Sequence, residues 1–411
     1  MKTQIERARE GIITHQMQKV AEAENIEAQA LLSRIARGSA VIMARGEKVV
    51  GIGKGLATKV NVNIGTSSSK IDPEEEVKKA KIAECYGADT LTDLSMGGDI
   101  TTIRSMIFDN TTLPVTTIPI YQAAAELGLE SIDDDDILQN MRKQAEEGVS
   151  SFVIHCVDRK TLGTLKKGKR IMGVVSKGGS ITCAYMLFNK CENPFIENFD
   201  EVLDIAKKYD IVLSLGNTMR SGCIQDARDE AQLEEMKKDA ELAVYANREG
   251  VQVIIEGIGG HVRADRIVKY VSDHKRSCVF PLFVAGPLPA DVAVGYDHIA
   301  GAVGASMASG AGADYLCYIT PSEHLGLPGT EQVREGLIAF KIAAHIGDSI
   351  KYGPSDKDRK LAEKRAELDW EGQLSYAIDG VRARELAPQE GPCTMCGDFC
   401  AIKMMKDFEQ Y

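Results

Sequence analysis

The chain has 411 residues, 44% hydrophobic and 27% charged, an ordinary globular composition with room for one large domain and appended pieces. Its formal net charge of -11 excludes nucleic acid as the main partner, because phosphate backbones need a broad basic face, although a few local Arg and Lys residues suffice for a small anion. The opening segment Met1-Lys2-Thr3-Gln4-Ile5-Glu6-Arg7 lacks the apolar core of a signal peptide, and no apolar run is long enough to cross a bilayer. A cytoplasmic protein with no membrane span is the expectation.

Residues 1–50 read as helices with no obvious core of their own, for example 21–36. From residue 58 onward, short apolar runs alternate with amphipathic helices. Strands are expected at 59–64, 90–94, 114–118, 152–156, 171–175, 211–215, 251–256, 282–285 and 315–319, and helices at 74–86, 201–209, 230–248, 301–312 and 331–350. Strand-then-helix repetition implies a parallel sheet with right-handed crossovers. Eight such units make a (β/α)8 TIM barrel, and fewer with a switch point make an open sheet. Nine candidates are one too many for a barrel, and 171–175 is the weakest, lying so soon after its predecessor that it fits a long insertion. The reading adopted is an α/β chain with three parts: an N-terminal helical segment over 1–50, a (β/α)8 barrel over 51–352, and a C-terminal segment over 353–411.

Polar residues cluster just after the strands: Asn63, Asp93, His155, Ser176-Lys177-Gly178, Asn217, Glu256 and Thr320. That rim is where barrel enzymes carry their chemistry, whereas any one of these residues alone could be a structural cap. Past Lys351 the composition turns highly charged, Gly391-Pro392 breaks the chain, and Cys393-Thr-Met-Cys396-Gly-Asp-Phe-Cys400 follows. Three thiolates in a short loop suit zinc or an iron–sulfur cluster. Structural zinc needs a fourth ligand, and neither 346–392 nor 401–411 supplies a Cys or His. A redox dithiol leaves Cys400 unexplained. Three cysteines on a [4Fe–4S] cube leave one iron open for a small molecule. The other seven cysteines, Cys317 among them, show no metal spacing and read mostly as inert buried thiols.

Several longer motifs are specific. They are Thr58-Lys-Val-Asn-Val-Asn-Ile-Gly65, Gly87-Ala-Asp-Thr90 with Asp93-Leu-Ser95, Ile118-Pro-Ile-Tyr-Gln122, Ser176-Lys-Gly-Gly-Ser180 and Cys223-Ile-Gln-Asp-Ala-Arg-Asp-Glu-Ala-Gln232. Gly286-Pro-Leu288, Gly295-Tyr-Asp-His298 and Leu316-Cys-Tyr-Ile-Thr-Pro-Ser-Glu-His-Leu-Gly-Leu-Pro328 continue the series. From Thr3 onward the chain resembles the thiamin pyrimidine (hydroxymethylpyrimidine phosphate) synthase family of radical S-adenosylmethionine enzymes. The resemblance implies a homodimeric (β/α)8 barrel, a [4Fe–4S] cluster held by Cys393, Cys396 and Cys400 on a flexible C-terminal arm, and S-adenosylmethionine as cofactor. It also implies 5-aminoimidazole ribotide as substrate and an external one-electron donor of the flavodoxin or ferredoxin type.

Carried over residue by residue, the resemblance makes His261 and His324 ligands of a second metal, zinc or iron. It makes Ser176, Lys177, Gly178 and Arg220 phosphate contacts, and Asn63, Tyr121, His155, Asn217 and Glu256 further substrate contacts. Thr92, Thr218, Met219, Phe283 and His298 are weaker candidates. Glu256 or His155 would relay protons.

The chain also departs from the synthase pattern. The second cysteine gap is three residues where the synthases have four, and Glu256-Gly-Ile-Gly-Gly-His261 carries an extra glycine. Asn217-Thr-Met-Arg220 replaces Asp-Gly-Leu-Arg, Thr92 replaces a methionine, Phe283 a tyrosine, and Met43-Ala-Arg-Gly46 an Asn-Ile-Asn-His segment. These departures resemble the paralogous branch that makes 5-hydroxybenzimidazole, a cobalamin lower-ligand precursor, from the same ribotide. That product is the expectation, with the pyrimidine phosphate of thiamin biosynthesis as the alternative. Outside the family, a zinc-tailed barrel aldolase or isomerase and a non-catalytic iron–sulfur carrier remain open.

Overall fold

The computed structural model describes residues 2–388 and 393–408, so the break expected at Gly391-Pro392 lies outside the described residues. The chain divides into two compact units, Met1–Gly347 and Asp348–Tyr411.

The first unit is built on a closed barrel of eight parallel strands: β3 (Lys59–Ile64), β4 (Thr90–Asp93), β5 (Val115–Thr117), β6 (Ser151–Ile154), β7 (Val212–Leu215), β8 (Val253–Glu256), β9 (Leu282–Ala285) and β10 (Tyr315–Cys317). β10 closes on β3, with Tyr315 opposite Lys59. The strands are buried almost throughout, as both faces of a barrel sheet require, one toward the lumen and one under the helices. The candidate strand at 171–175 is not one. Those residues belong to the long connection between β6 and β7, which also carries the helices Arg159–Lys167, Lys177–Phe188 and Phe199–Tyr209. Its apolar run is partly solvent-facing, with Ile171 and Met172 exposed, so it had no sheet to enter.

The N-terminal segment differs from expectation. After the helices Gln4–Arg9, His15–Ala23 and Ala28–Ala36 comes an antiparallel hairpin, β1 (Ala40–Arg45) and β2 (Lys48–Gly53), turned at Gly46, whose φ of 54° suits a residue without Cβ. The hairpin is apolar on both faces. Ala40 and Ile42 join Ile5, Met17, Leu31 and Ile35 in a core shared with the three helices. Val41, Met43, Val50 and Ile52 pack instead on Val212, Ile254, Phe283 and Tyr315, closing one end of the barrel. The Gln252 amide completes the junction: its Oε1 accepts from Ile42 N at 2.7 Å and its Nε2 donates to Ile42 O at 3.1 Å. Residues 1–50 therefore do have a core, and it plugs the barrel.

The second unit holds the end of helix Thr330–Tyr352, the helices Asp356–Glu367, Trp370–Ser375, Gly380–Leu386 and Ala401–Phe408, and a short turn at Gly397–Phe399. No described helix is long and apolar enough to cross a membrane.

Candidate active site

All eight barrel strands, or the residues just after them, line one cavity at their C-terminal ends, with an empty volume of ≈ 640 Å³, part of it open to solvent. Asn63 (β3), Thr92 (β4), Tyr121 (after β5), His155 (after β6), Asn217 and Arg220 (after β7), Glu256 (β8) and Phe283 (β9) all reach it, as do Ser176 and Lys177 from the β6–β7 connection. The structure thus brings together ten of the residues singled out in the sequence. It also adds Leu94, Ile118, Val153, Gly257, Gly259, Ala285 and Cys317. Strand alternation would have found two of these: Val153 shares a face with His155, and Ala285 with Phe283. Cys317 lines the cavity as a protonated thiol: Asn63 Nδ2 lies 3.1 Å from its Sγ, and burial pushes the thiol up to about 12, which fits the expected inert buried cysteine.

Below the cavity the lumen is polar and cross-linked. Asn61 Nδ2 donates to Asn63 Oδ1 at 2.8 Å, while the hydroxyls of Thr90 and Thr92 donate to Asn61 Oδ1 at 2.9 and 3.0 Å. Thr92 is therefore held from below.

His155 sits in a slot that only glycines permit. A Cβ on Gly178 would lie 2.4 Å from its Cε1, and one on Gly216 would lie 2.9 Å from its Nε2. Ser176 Oγ is 2.9 Å from Nε2 and also accepts from Gly179 N, which fixes the ring from one side. The other ring nitrogen, Nδ1, is buried with no partner among the described residues. Burial, reinforced by the Arg220 charge, lowers the imidazole pKa to about 3, so the ring is neutral at ordinary pH.

Glu256 accepts from Ser214 Oγ at 3.0 Å and Asn217 N at 3.4 Å. Burial raises its pKa, while Arg220 and these bonds oppose the rise. Tyr121 is raised by burial, against Arg220 and the Gly178 N–H. Lys177 Nζ stands 5.4 Å from the Tyr121 ring centroid, and desolvation lowers its pKa despite nearby Glu323. The Arg220 guanidinium ion-pairs with no carboxylate among the described residues, and both side-chain polar atoms of Asn217 are buried without a partner there. An unpaired cation, an unsatisfied amide and the N-terminus of helix Lys177–Phe188 facing one polar cavity are what a small anionic, hydrogen-bonding ligand would complete.

Gly178, Thr218 and Met219 do not line the cavity; they support it. His298 is also outside it, stacked on Tyr296 at 6.5 Å between ring centroids. His261 and His324 form a separate pair with ring centroids 5.2 Å apart. His261 Nδ1 is 2.7 Å from Asp291 Oδ1, and His324 Nδ1 is 3.1 Å from Asp297 Oδ1. A carboxylate on each Nδ1–H turns the lone pair of Nε2 outward, the arrangement of metal-binding histidines. The sequence reading assigned a role to neither aspartate: Asp297 stands inside the motif Gly295-Tyr-Asp-His298, which could have marked it, whereas nothing in the spacing of Asp291 does.

In the second unit, Cys393, Cys396 and Cys400 are free thiols. Gly397 N donates to Cys393 O, and Phe399 N to Cys396 O, both at 3.0 Å, winding the loop tightly. The backbone N–H groups of Cys396 and Met395 hold the Cys393 thiol below its usual range, favouring the thiolate. Cys396 is raised by desolvation and by both other thiols. Among the described residues no three His, Cys, Asp or Glu side chains converge on one ion. The donor set is what discriminates: three thiolates with no fourth Cys or His nearby in the chain fit a [4Fe–4S] cluster with one open iron better than a four-coordinate structural zinc.

A parallel barrel with a polar, cation-bearing cavity at its C-terminal rim is a barrel enzyme. More narrowly, residues 3–407 match the Radical SAM ThiC family, and the chain belongs to it. Membership implies a [4Fe–4S] cluster, S-adenosylmethionine and an external electron donor, and it removes the aldolase and carrier readings. The chain is 45% identical to a phosphomethylpyrimidine synthase of Dehalococcoides mccartyi, covering 98% of this chain and 97% of that one. Its similarity to the phosphomethylpyrimidine synthase of Archaeoglobus fulgidus is 45% (98% and 99%), and to that of Geobacter metallireducens 44% (98% and 97%). These relatives overturn the expectation of 5-hydroxybenzimidazole and cobalamin-ligand synthesis. Thr92, Asn217 and Phe283 do line the cavity, but exchanged lining residues change the contacts a pocket makes and do not by themselves name its product.

Proposed function

We propose that this chain is a phosphomethylpyrimidine synthase of thiamin biosynthesis, acting on 5-aminoimidazole ribotide. The observation that carries the reading is identity of about 45% to such synthases from end to end of both chains. The cavity supports it. Arg220, Lys177 and the N–H groups opening helix Lys177–Phe188 would hold the ribotide phosphate. Asn63, Thr92, Asn217, Tyr121 and Phe283 would contact the ribose and imidazole, and Asn217 gains there the partners it lacks.

His155, neutral and with Nδ1 unpartnered among the described residues, can hydrogen-bond a ligand through that nitrogen, and Glu256, with its pKa raised, can hold a proton. His261 and His324 would bind zinc or ferrous iron through Nε2, with Asp291 and Asp297 fixing the rings. Cys393, Cys396 and Cys400 would hold the cluster, which when bound supplies the electron that splits S-adenosylmethionine to methionine and a deoxyadenosyl radical able to abstract hydrogen from the ribose. A homodimer is part of the reading, supported by Ile299, Val303, Ile342 and Ile346, which are exposed on two helices that pack together.

The reading is tested in anaerobically reconstituted enzyme with S-adenosylmethionine and a reductant. 5′-Deoxyadenosine and methionine are expected to accumulate in step with consumption of the ribotide. Nucleoside release unaffected by the ribotide contradicts the substrate assignment.

A further inference from the structure

The segment after β7, Gly216-Asn217-Thr218-Met219-Arg220, presents two of the cavity's polar side chains, and its backbone is gripped from two sides. On one side Glu235, buried on helix Glu230–Arg248, accepts from Thr218 N at 2.9 Å and Met219 N at 2.6 Å. On the other side Arg170, whose side chain is 3% exposed, donates through Nη2 to Met219 O at 2.6 Å and through Nη1 to Arg220 O at 3.5 Å. Asp229 holds that guanidinium at both Nε (2.6 Å) and Nη2 (2.7 Å). Neither Arg170 nor Glu235 lines the cavity.

We propose that Arg170 and Glu235 are positioning residues for recognition of the substrate's anionic group, acting through the Asn217–Arg220 backbone. This rests on the reading of Arg220 as the anion contact. The geometry carries the assignment. A bidentate carboxylate takes two consecutive N–H groups and a forked guanidinium takes two consecutive carbonyls, so the peptides between Asn217 and Arg220 have one orientation left. Rotation of those peptides would swing Arg220 and Asn217 out of the cavity together. The grip also reaches the second anion-binding element. Thr218 packs so closely on Gly179 that a Cβ there would lie 2.4 Å from Thr218 Cγ2. Arg170 itself lies in the β6–β7 connection that leads into Ser176 and Lys177, and Asp226 accepts from the next two N–H groups, Ile171 and Met172, at 2.9 and 2.8 Å. One clamp therefore sets both halves of the anion site.

The test uses the full-length holoenzyme, with ribose 5-phosphate as a calorimetric probe and the ribotide for kinetics. Glu235→Gln places a donor against an N–H and loses one bond of the pair. Ribose 5-phosphate binding and KM are both expected to weaken about tenfold, with kcat changed less than about twofold, because the lost energy is orientation of a binding group. Asp229→Asn, which loosens Arg170 from a more exposed position, is expected to act in the same direction and serves if Glu235→Gln fails to fold. In an Arg220→Ala background, adding either change is expected to weaken the probe by less than it does in wild type, since the part of the clamp's effect carried by Arg220 is already lost and only the part carried by Asn217, Ser176 and Lys177 remains. Thermal unfolding of each variant reports any purely structural loss. If Arg220→Ala weakens the probe while Glu235→Gln and Asp229→Asn bind it like wild type, or if the effects add in the double variants, the clamp is overturned. If Arg220→Ala binds the probe like wild type, the anion reading of Arg220 itself falls.

Discussion

At the scale of single residues, burial rather than residue type decides the chemistry of the cavity. His155 has an imidazole pKa lowered to about 3, first by burial and then by Arg220. Between the ordinary histidine value and about 3, the unfolded chain binds a proton that the native chain refuses. The sign follows: the contribution of His155 to stability is complete above the ordinary value and is lost as pH falls through that window. Denaturant unfolding at pH 7 and pH 5 is expected to show a larger acid loss in wild type than in His155→Gln, by about 1–2 kcal/mol. Identical losses in the two proteins would sink the assignment of a buried neutral ring.

The site residues were legible where a polar side chain follows an apolar strand, because that pattern has few structural explanations on one rim. Asn63, His155, Asn217 and Glu256 all came from it. What stayed unassigned were residues that act through others. Asp291 and Asp297 lie far in sequence from at least one partner each and bond only through the fold, as do Glu235 and Arg170. His298 was the opposite case, a histidine inside a specific motif whose ring turns toward Tyr296.

At the scale of elements, strands flanked by helices were easy to read and the hairpin β1–β2 was not. β9 and the helix Glu230–Arg248 fall on their expected bounds, since each carries a run of one period between clear breaks. The hairpin buries both faces, one on the N-terminal helices and one on the barrel end, so Ala-Val-Ile-Met shows no alternation and could as well belong to a helix. Its role as a plug predicts a steep cost for shortening it. Met43 is 1% exposed against Val212, Ile254, Phe283 and Tyr315, and Met43→Ala is expected to lose about 2–5 kcal/mol of stability. Val292→Ala, at a position 94% exposed, is expected to stay within about 0.5 kcal/mol of wild type. Equal unfolding midpoints for the two variants in denaturant would show that the hairpin does not plug the barrel.

At the scale of the whole molecule, the barrel was legible because strand–helix alternation leaves few topologies, and its ninth candidate failed for want of a neighbour to pair with. Family membership was legible from motifs spread along the chain and extends over residues 3–407. Product identity was not, because a handful of exchanged lining residues altered the local pattern while nearly the full length stayed close to phosphomethylpyrimidine synthases. The central claim is therefore chemical, and one measurement addresses it: anaerobic turnover of carbon-13-labelled 5-aminoimidazole ribotide with S-adenosylmethionine and a reductant, with the product identified by mass spectrometry. A phosphorylated, labelled pyrimidine is the expected result. A labelled product without phosphate, or one bearing a benzene ring fused to the imidazole, would contradict it.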